Sequence, residues 1–330
     1  MTQTYFLGAN SKDGFASVYA DFPPDESVFL HVVKGGPGTG KSSLMRRIGR
    51  AAEEKGLDVH YVLCSGDPDS LDGVYVPALG AAWMDGTAPH VTEPAAFGVS
   101  GDYVNLSCFC RLPFSAADRE HALSISRTYK ALYAQAYAWL SAAAAAETAA
   151  APAVPVEPAA EEEILALVRE ACGAAEPCVQ RPRRRFLRAL SCRGELRLNS
   201  EIQKLCKHIV QVGDPALLSR AAARCPAGAI LCPSPLHPER PEAILLPEAS
   251  LALVDSGWRI PVSRSLAPAA PPTAEQAEAA AMRERMLVFA FDRLRRAKAL
   301  HDELEAVCRR YMDFDALTAF TDRLLAGLFA

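Results

Sequence analysis

Val28-Phe-Leu-His-Val-Val33 runs through Lys34 into Gly35-Gly-Pro-Gly-Thr-Gly-Lys-Ser42 and on to Ser43. The first six residues read as a buried strand. Lys41 to Lys55 carries helix formers, with an apolar stripe through Leu44, Ile48 and Ala52 and a stop at Gly56. Strand, glycine-rich turn and helix are the context required by the pattern G-x-x-x-x-G-K-[ST]. In it the glycines let the backbone aim N–H groups at phosphate oxygens, and the helix dipole adds positive potential. On this reading Gly35, Gly36, Pro37, Gly38, Thr39, Gly40, Lys41, Ser42 and Ser43 form a phosphate cradle. Lys41 reaches the β and γ phosphates and Ser42 places its hydroxyl on a Mg2+ ion.

Downstream, Asp58-Val-His-Tyr-Val-Leu63 reads as a second strand, followed by an acidic loop holding Asp67, Asp69 and Asp72. Val74-Tyr-Val76 reads as a short strand, and Leu79-Gly-Ala-Ala-Trp-Met84 as an apolar one ending in Asp85. The end of an apolar strand is where a phosphate-loop protein presents the carboxylate that orders magnesium, so Asp85 is the metal candidate, with Asp67, Asp69 and Asp72 as rivals. Gly86 follows Asp85, where strong ATPases often place a glutamate to orient water. Slow hydrolysis, another base, or an acceptor other than water would fit that absence. Thr87 and His90 lie just beyond; His90 is a catalytic candidate, against the commoner role of a hydrogen-bonding loop histidine. Arg46, Arg47, Arg111 and Arg259 offer no choice of arginine finger. His301 and Glu305, one helical turn apart, read as a solvated face rather than a metal pair.

At 330 residues two domains or two repeats are expected. A net charge of -4 and a pI near 6.0 give no support to a general nucleic-acid or membrane-surface binder. No apolar run approaches the roughly 20 residues that span a bilayer, and no charged-then-apolar segment opens the chain, so a soluble cytoplasmic protein is expected. The ten cysteines are spread through a long chain, which favours reduced thiols over a disulfide framework. Cys108 and Cys110 form a C-x-C and Cys172 lies near Cys178, without the paired spacing of a zinc site.

The second half echoes the first. Arg185-Phe-Leu-Arg-Ala-Leu-Ser-Cys-Arg-Gly194 lines up with the stretch from Tyr5 to Gly14, sharing Phe, Leu, Ala, Ser and Gly. His208-Ile-Val-Gln-Val-Gly213 lines up from His31, and Ala229-Ile-Leu-Cys232 from Tyr61. Ile244-Leu-Leu-Pro247 to Asp255 answers Val74-Tyr-Val-Pro77 to Asp85. Ser115 and Thr273 each cap a long helix, and a shorter one follows each: Glu161 to Cys172 in the first half, from Asp315 in the second. The expected organisation is therefore a duplicated α/β P-loop NTPase fold with mainly parallel sheets. Its copies span 1–180 and 181–330, with an antiparallel helical hairpin attached to each, about 115–172 and 273–329. The copies are chemically unequal: opposite Gly38-Thr-Gly-Lys-Ser42 the second has Pro215-Ala-Leu-Leu-Ser219, and it lacks the acidic loop and the residues after Asp85. Only the first copy retains a nucleotide site. The basic run Arg181-Pro-Arg-Arg-Arg185 between them reads as solvated linker.

Lys34-Gly-Gly-Pro-Gly-Thr-Gly-Lys-Ser-Ser43, Asp69-Ser-Leu-Asp-Gly73, Asp85-Gly-Thr-Ala-Pro-His90, His301-Asp-Glu-Leu-Glu305 and Met312-Asp-Phe-Asp315 together resemble a bacterial family of tandem P-loop proteins described as ATPases or nucleotide-kinase-like. The resemblance covers nearly the whole chain and implies ATP binding without supplying a substrate. The chain departs from it in the second half, where members carry another P-loop. The expectation is one Mg2+-dependent ATPase site. A nucleotide or small-molecule kinase is the first alternative. The second is a switch with little turnover that engages a protein partner through its helical hairpins.

Overall fold

The computed structural model describes residues 1–23, 27–89, 92–150, 157–172, 182–267 and 271–330. His90, Cys178 and Arg181, and the side chain of Cys172, lie outside the described residues. The first part of the chain forms β1 (Gln3–Tyr5), β2 (Gly8–Ser11), β3 (Gly14–Ser17), β4 (Phe29–Lys34), α1 (Lys41–Glu54), β5 (His60–Leu63), β6 (Leu71–Val76), β7 (Ala81–Asp85), β8 (Gly101–Asn105), α2 (Ala116–Ala150) and α3 (Pro158–Cys172). The second forms β9 (Arg183–Arg184), β10 (Arg188–Ser191), β11 (Gly194–Arg197), α4 (Asn199–Leu205), β12 (His208–Val212), α5 (Pro215–Ala222), β13 (Ile230–Pro233), β14 (Pro241–Leu246), β15 (Leu251–Asp255), β16 (Arg264–Leu266), α6 (Ala274–Arg309) and α7 (Phe314–Leu328).

These elements build two six-stranded mixed sheets, ordered β1-β5-β6-β7-β4-β8 and β9-β13-β14-β15-β12-β16. The second order repeats the first strand for strand. In each sheet the pairings leave one strand, β6 or β14, running against the other five. The two sheets share a core on the faces that look toward each other, Leu30, Val32, Tyr75 and Met84 from one and Ile209, Ile230, Leu245 and Val254 from the other. Phe6 and Phe186 donate N–H bonds to each other's carbonyl oxygens at 2.9 Å, a reciprocal pair on the line relating the halves.

Strand pairing refines the internal alignment. Val33 sits opposite Asp85 and Val212 opposite Asp255, so Val210, not His208, occupies the place of His31. His60 faces Tyr75 as Ile230 faces Leu245, which moves the β5–β13 match by two residues as well. Side chains alternate with period two, so a two-residue slip keeps the apolar face in register and leaves the sequence pattern equally satisfied. The hairpin β2–β3 lies between the halves: the Asn10 side-chain amide donates to the Leu190 carbonyl at 2.8 Å. The basic run before Phe186 is not linker. Arg183 and Arg184 form β9 beside β13, and Arg185 is buried with its guanidinium 4.0 Å from the centre of the Tyr5 ring.

The helical hairpins are corrected. Instead of folding back on α3, α2 runs antiparallel along α6. One end of that pair is tied by Asp118 to Arg310 at 2.5 Å and the other by Glu147 to Arg283 at 2.8 Å. The shorter helices are exchanged. From α3, Ile164 and Val168 enter the core of the second sheet with Leu217 and Leu218. From α7, Leu317, Phe320, Leu324 and Leu328 cover the first sheet beside α1. An amphipathic helix needs an apolar face to bury against, and its own stripe does not say whose. No helix among the described residues is long and apolar enough to cross a membrane.

His60 supplies a stability test. It is enclosed by the rings of Tyr5 and Tyr75 at 6.0 and 5.2 Å, both edge-on. Burial pushes its pKa down to about 3, and the cations of Arg185 and Arg183 push the same way. The folded state holds the neutral imidazole while the unfolded chain protonates it near pH 6.5, so stability is lost as pH falls through 6.5 toward 3. The loss is about 2 kcal/mol at pH 5. His60→Phe is expected to flatten this acid limb in thermal melts between pH 7 and 5; an unchanged pH slope would assign the loss to other groups.

Candidate phosphate-binding site

The turn between β4 and α1 has the geometry that its glycines permit. Gly38 and Gly40 take φ of +69° and +90°, where a side chain is strained, and Gly40 stands at the N-terminus of α1. A Cβ on Gly35 would lie 2.5 Å from Thr39 Oγ1, so the loop closes on itself there. Thr39 is buried and its hydroxyl donates to the Gly36 carbonyl at 2.8 Å. Around Gly36, by contrast, a Cβ would meet nothing within 4 Å. The loop is thus tight at Gly35 and open at Gly36.

Lys41 Nζ donates to the carbonyl oxygens of Gly35 and Gly36 at 2.7 and 3.0 Å and stands 3.7 Å from Asp85 Oδ2. Asp85 ends β7, directly beside β4, and both side chains are nearly buried. Its other oxygen, Oδ1, accepts from the Thr87 backbone N–H at 2.8 Å and from the Thr87 hydroxyl at 2.6 Å. Thr87 therefore orients the carboxylate, which leaves Oδ2 toward the cradle. Ser42 Oγ accepts the Leu71 N–H at 2.9 Å, using one lone pair of the hydroxyl and keeping another. The structure thus brings Lys41 of the glycine-rich loop beside Asp85.

The rival carboxylates separate. Asp67 is 3.3 Å from Lys298 of α6, and Asp69 pairs with Arg193 at the β10–β11 turn while its carbonyl accepts from Arg46 at 2.5 Å. Asp72 is not in a loop. It lies in β6, buried, and Tyr19 Oη donates to its Oδ2 at 2.9 Å. Burial pushes the Tyr19 phenol well above its ordinary pKa, and the nearby charges of Asp72 and Asp85 add to the shift. Arg47 pairs with Asp322 of α7, and Arg111 donates to the Arg310 carbonyl at 3.3 Å. His301 and Glu305 face each other at 3.7 Å, half-buried.

One neighbour was missed in the sequence. The end of α6 lies on the cradle: a Cβ on Gly38 would come within 2.9 Å of the Glu305 carbonyl oxygen and of Arg309 Cγ, and one on Gly40 within 2.9 Å of Leu317 in α7. Glu305 and Arg309 of α6 and Leu317 of α7 thus lie against the glycine-rich loop of the first half. Their spacing from Lys41 in the chain hid this, and no local pattern encodes it.

The donors fit a hard cation. A hydroxyl and a carboxylate are oxygen ligands of the kind Mg2+ takes, with the remaining positions filled by water and phosphate. Among the described residues no group of three or more His, Cys, Asp or Glu could hold a metal by itself. A cation there depends on a phosphate partner. In the second half the loop is deleted altogether: β12 ends at Val212, the Asp214 side chain caps Ala216 N–H at 2.8 Å, and α5 begins at Pro215. Comparison with protein-family models, with curated proteins and with solved structures gives no match.

Proposed function

We propose that the chain is an ATP-binding P-loop protein with a duplicated NTPase fold, hydrolysing ATP with Mg2+ at one site in its first half. The observation that carries this reading is the position of Lys41. Its ammonium lies across the mouth of the loop on two carbonyl oxygens, 3.7 Å from Asp85, where phosphate oxygens would replace those acceptors. Lys41 binds the β and γ phosphates, the α1 N-terminus and loop amides hold the phosphate chain, and Thr87 keeps Asp85 aimed inward. Ser42 and Asp85 would hold Mg2+, which supplies charge neutralisation on the phosphates. No glutamate follows Asp85, so turnover is expected to be slow. His90 remains a proposed catalytic residue on its place in the sequence.

The contact of Glu305 and Arg309 with Gly38 favours a second reading in which nucleotide occupancy repositions α6, and turnover resets it. One assay separates the possibilities: purified protein with Mg–ATP, followed for free phosphate alone and against a panel of nucleosides and nucleotides. Phosphate release without acceptor is expected. ADP formed only with an acceptor would make the protein a kinase. Tight binding with neither product would leave the switch.

A further inference from the structure

The geometry points to Arg309, in the last turn of α6, as a second phosphate-binding cation, whose guanidinium donates to the phosphate chain of a nucleotide held on the loop from Gly35 to Ser42. This inference rests on the nucleotide reading above, and it gives that site a residue supplied by the other half of the chain.

The fold places the stem of Arg309. A Cβ on Gly38 would stand 2.9 Å from Arg309 Cγ and 2.9 Å from the Glu305 carbonyl oxygen, so the end of α6 lies on the loop. Lys41 is within electrostatic reach of the same turn: burial pushes the Cys308 thiol up, Cys110 and Glu305 add to the shift, and the Lys41 ammonium opposes it. Beside this contact the loop is open, since a Cβ on Gly36 would meet nothing within 4 Å.

The guanidinium itself is exposed and unclaimed. Among the described residues no carboxylate or carbonyl oxygen pairs with it, and the Phe314 ring, its centre 5.6 Å away, is its aromatic neighbour. A guanidinium carries its N–H donors in a planar fork that suits phosphate oxygens. The arginines around it are committed elsewhere. Arg310 holds Asp118 at 2.5 Å, Arg111 donates to the Arg310 carbonyl at 3.3 Å, Arg47 pairs with Asp322, and Arg46 donates to the Asp69 carbonyl at 2.5 Å. The counterpart helix α2 passes His237 of the second half at Glu147 and carries no arginine after Arg127. Where the glycine-rich loop is missing, so is the arginine.

A cation in the last turn of a helix ordinarily offsets the helix dipole. Arg310 stands at the C-cap of the same helix and serves as the control for that role. The test is equilibrium binding of ATP in EDTA, beside thermal melts. Arg309→Gln keeps the methylenes on Gly38 and removes the charge; it is expected to weaken ATP at least tenfold, with the melt within two degrees of the unmodified protein. The gap is expected to narrow as KCl rises from about 0.05 to 0.5 M, because salt screens an exposed ionic contact. Arg310→Gln is expected to stay within twofold. Unmodified affinity in Arg309→Gln, an equal loss in Arg310→Gln, or a gap that salt leaves unchanged would each overturn the inference, and a loss confined to Lys41→Ala would leave the nucleotide site standing without it. If the unmodified protein binds no ATP and Lys41→Ala does not differ from it, the nucleotide reading and this inference both fall.

Discussion

Lys41→Ala is expected to lower ATP affinity by at least a hundredfold while the melting curve stays within a few degrees of the unmodified protein. The lysine is the one charged side chain from Gly35 to Ser43, and among the described residues its ammonium bonds to two carbonyl oxygens of the same loop, near Asp85. Losing it removes a charge-assisted contact from a half-enclosed site and leaves little of the fold unsupported. The complementary change is Leu217→Ala. Leu217 is 1% exposed in the core that α3 completes. Truncating it is expected to cost about 3 kcal/mol of stability, with no effect on ATP affinity per folded molecule. Equilibrium binding beside thermal melts reads both. Wild-type affinity in Lys41→Ala, or a hundredfold loss in Leu217→Ala, would contradict a single site in the first half.

A chain ending at residue 310 is expected to lose cooperative unfolding of its first half altogether. Removing residues 311–330 strips Met312 and, from α7, Leu317 from the core around Val33, Leu44 and Trp83, along with Phe320, Leu324, Leu325 and Leu328 packed against it. At roughly 1.5–3 kcal/mol for each large apolar side chain fully buried, less for those partly exposed, the loss rivals the whole stability of an ordinary domain. Restoring α7 as a separate peptide is expected to recover part of the transition. A truncated chain with a normal melt would mean that α1 alone suffices to cover the sheet. The same exchange predicts that residues 1–180 do not fold by themselves, although the sequence marks that point as a boundary.

Local patterns carried most of the site. The apolar run to Val33, the glycines and Lys41 lie within a few residues of one another, so the cradle is written in one stretch. Asp85 could be placed because a strand that ends in a charge has a direction and an end. The place of Asp72 in a strand could not be read, since its neighbours Ser70 and Gly73 read as turn, and pairing with β5 and β7 is what makes the segment a strand. β8 escaped for a related reason: Gly101-Asp-Tyr-Val-Asn105 has little apolar character, and what fixes it beside β4 is a close approach, a Cβ on Gly101 meeting the Leu30 carbonyl at 2.2 Å. Duplication was legible in Phe6 and Phe186, in Pro77 and Pro247, and in Asp85 and Asp255. The partners of α2, α3, α6 and α7 were not, because helix periodicity defines a face and leaves its counterpart open.

At about 1.5 Å per residue α6 is a rod of roughly 54 Å. One end presses on Gly38, and farther along Arg283 holds Glu147 near the buried acids and Arg188 of the other half. A rod does not distinguish input from output. Were α6 to turn as a rigid body at Gly38, Arg283 would turn with it. One helix thus joins the glycine-rich loop of the first half to the neighbourhood of the buried acids of the second.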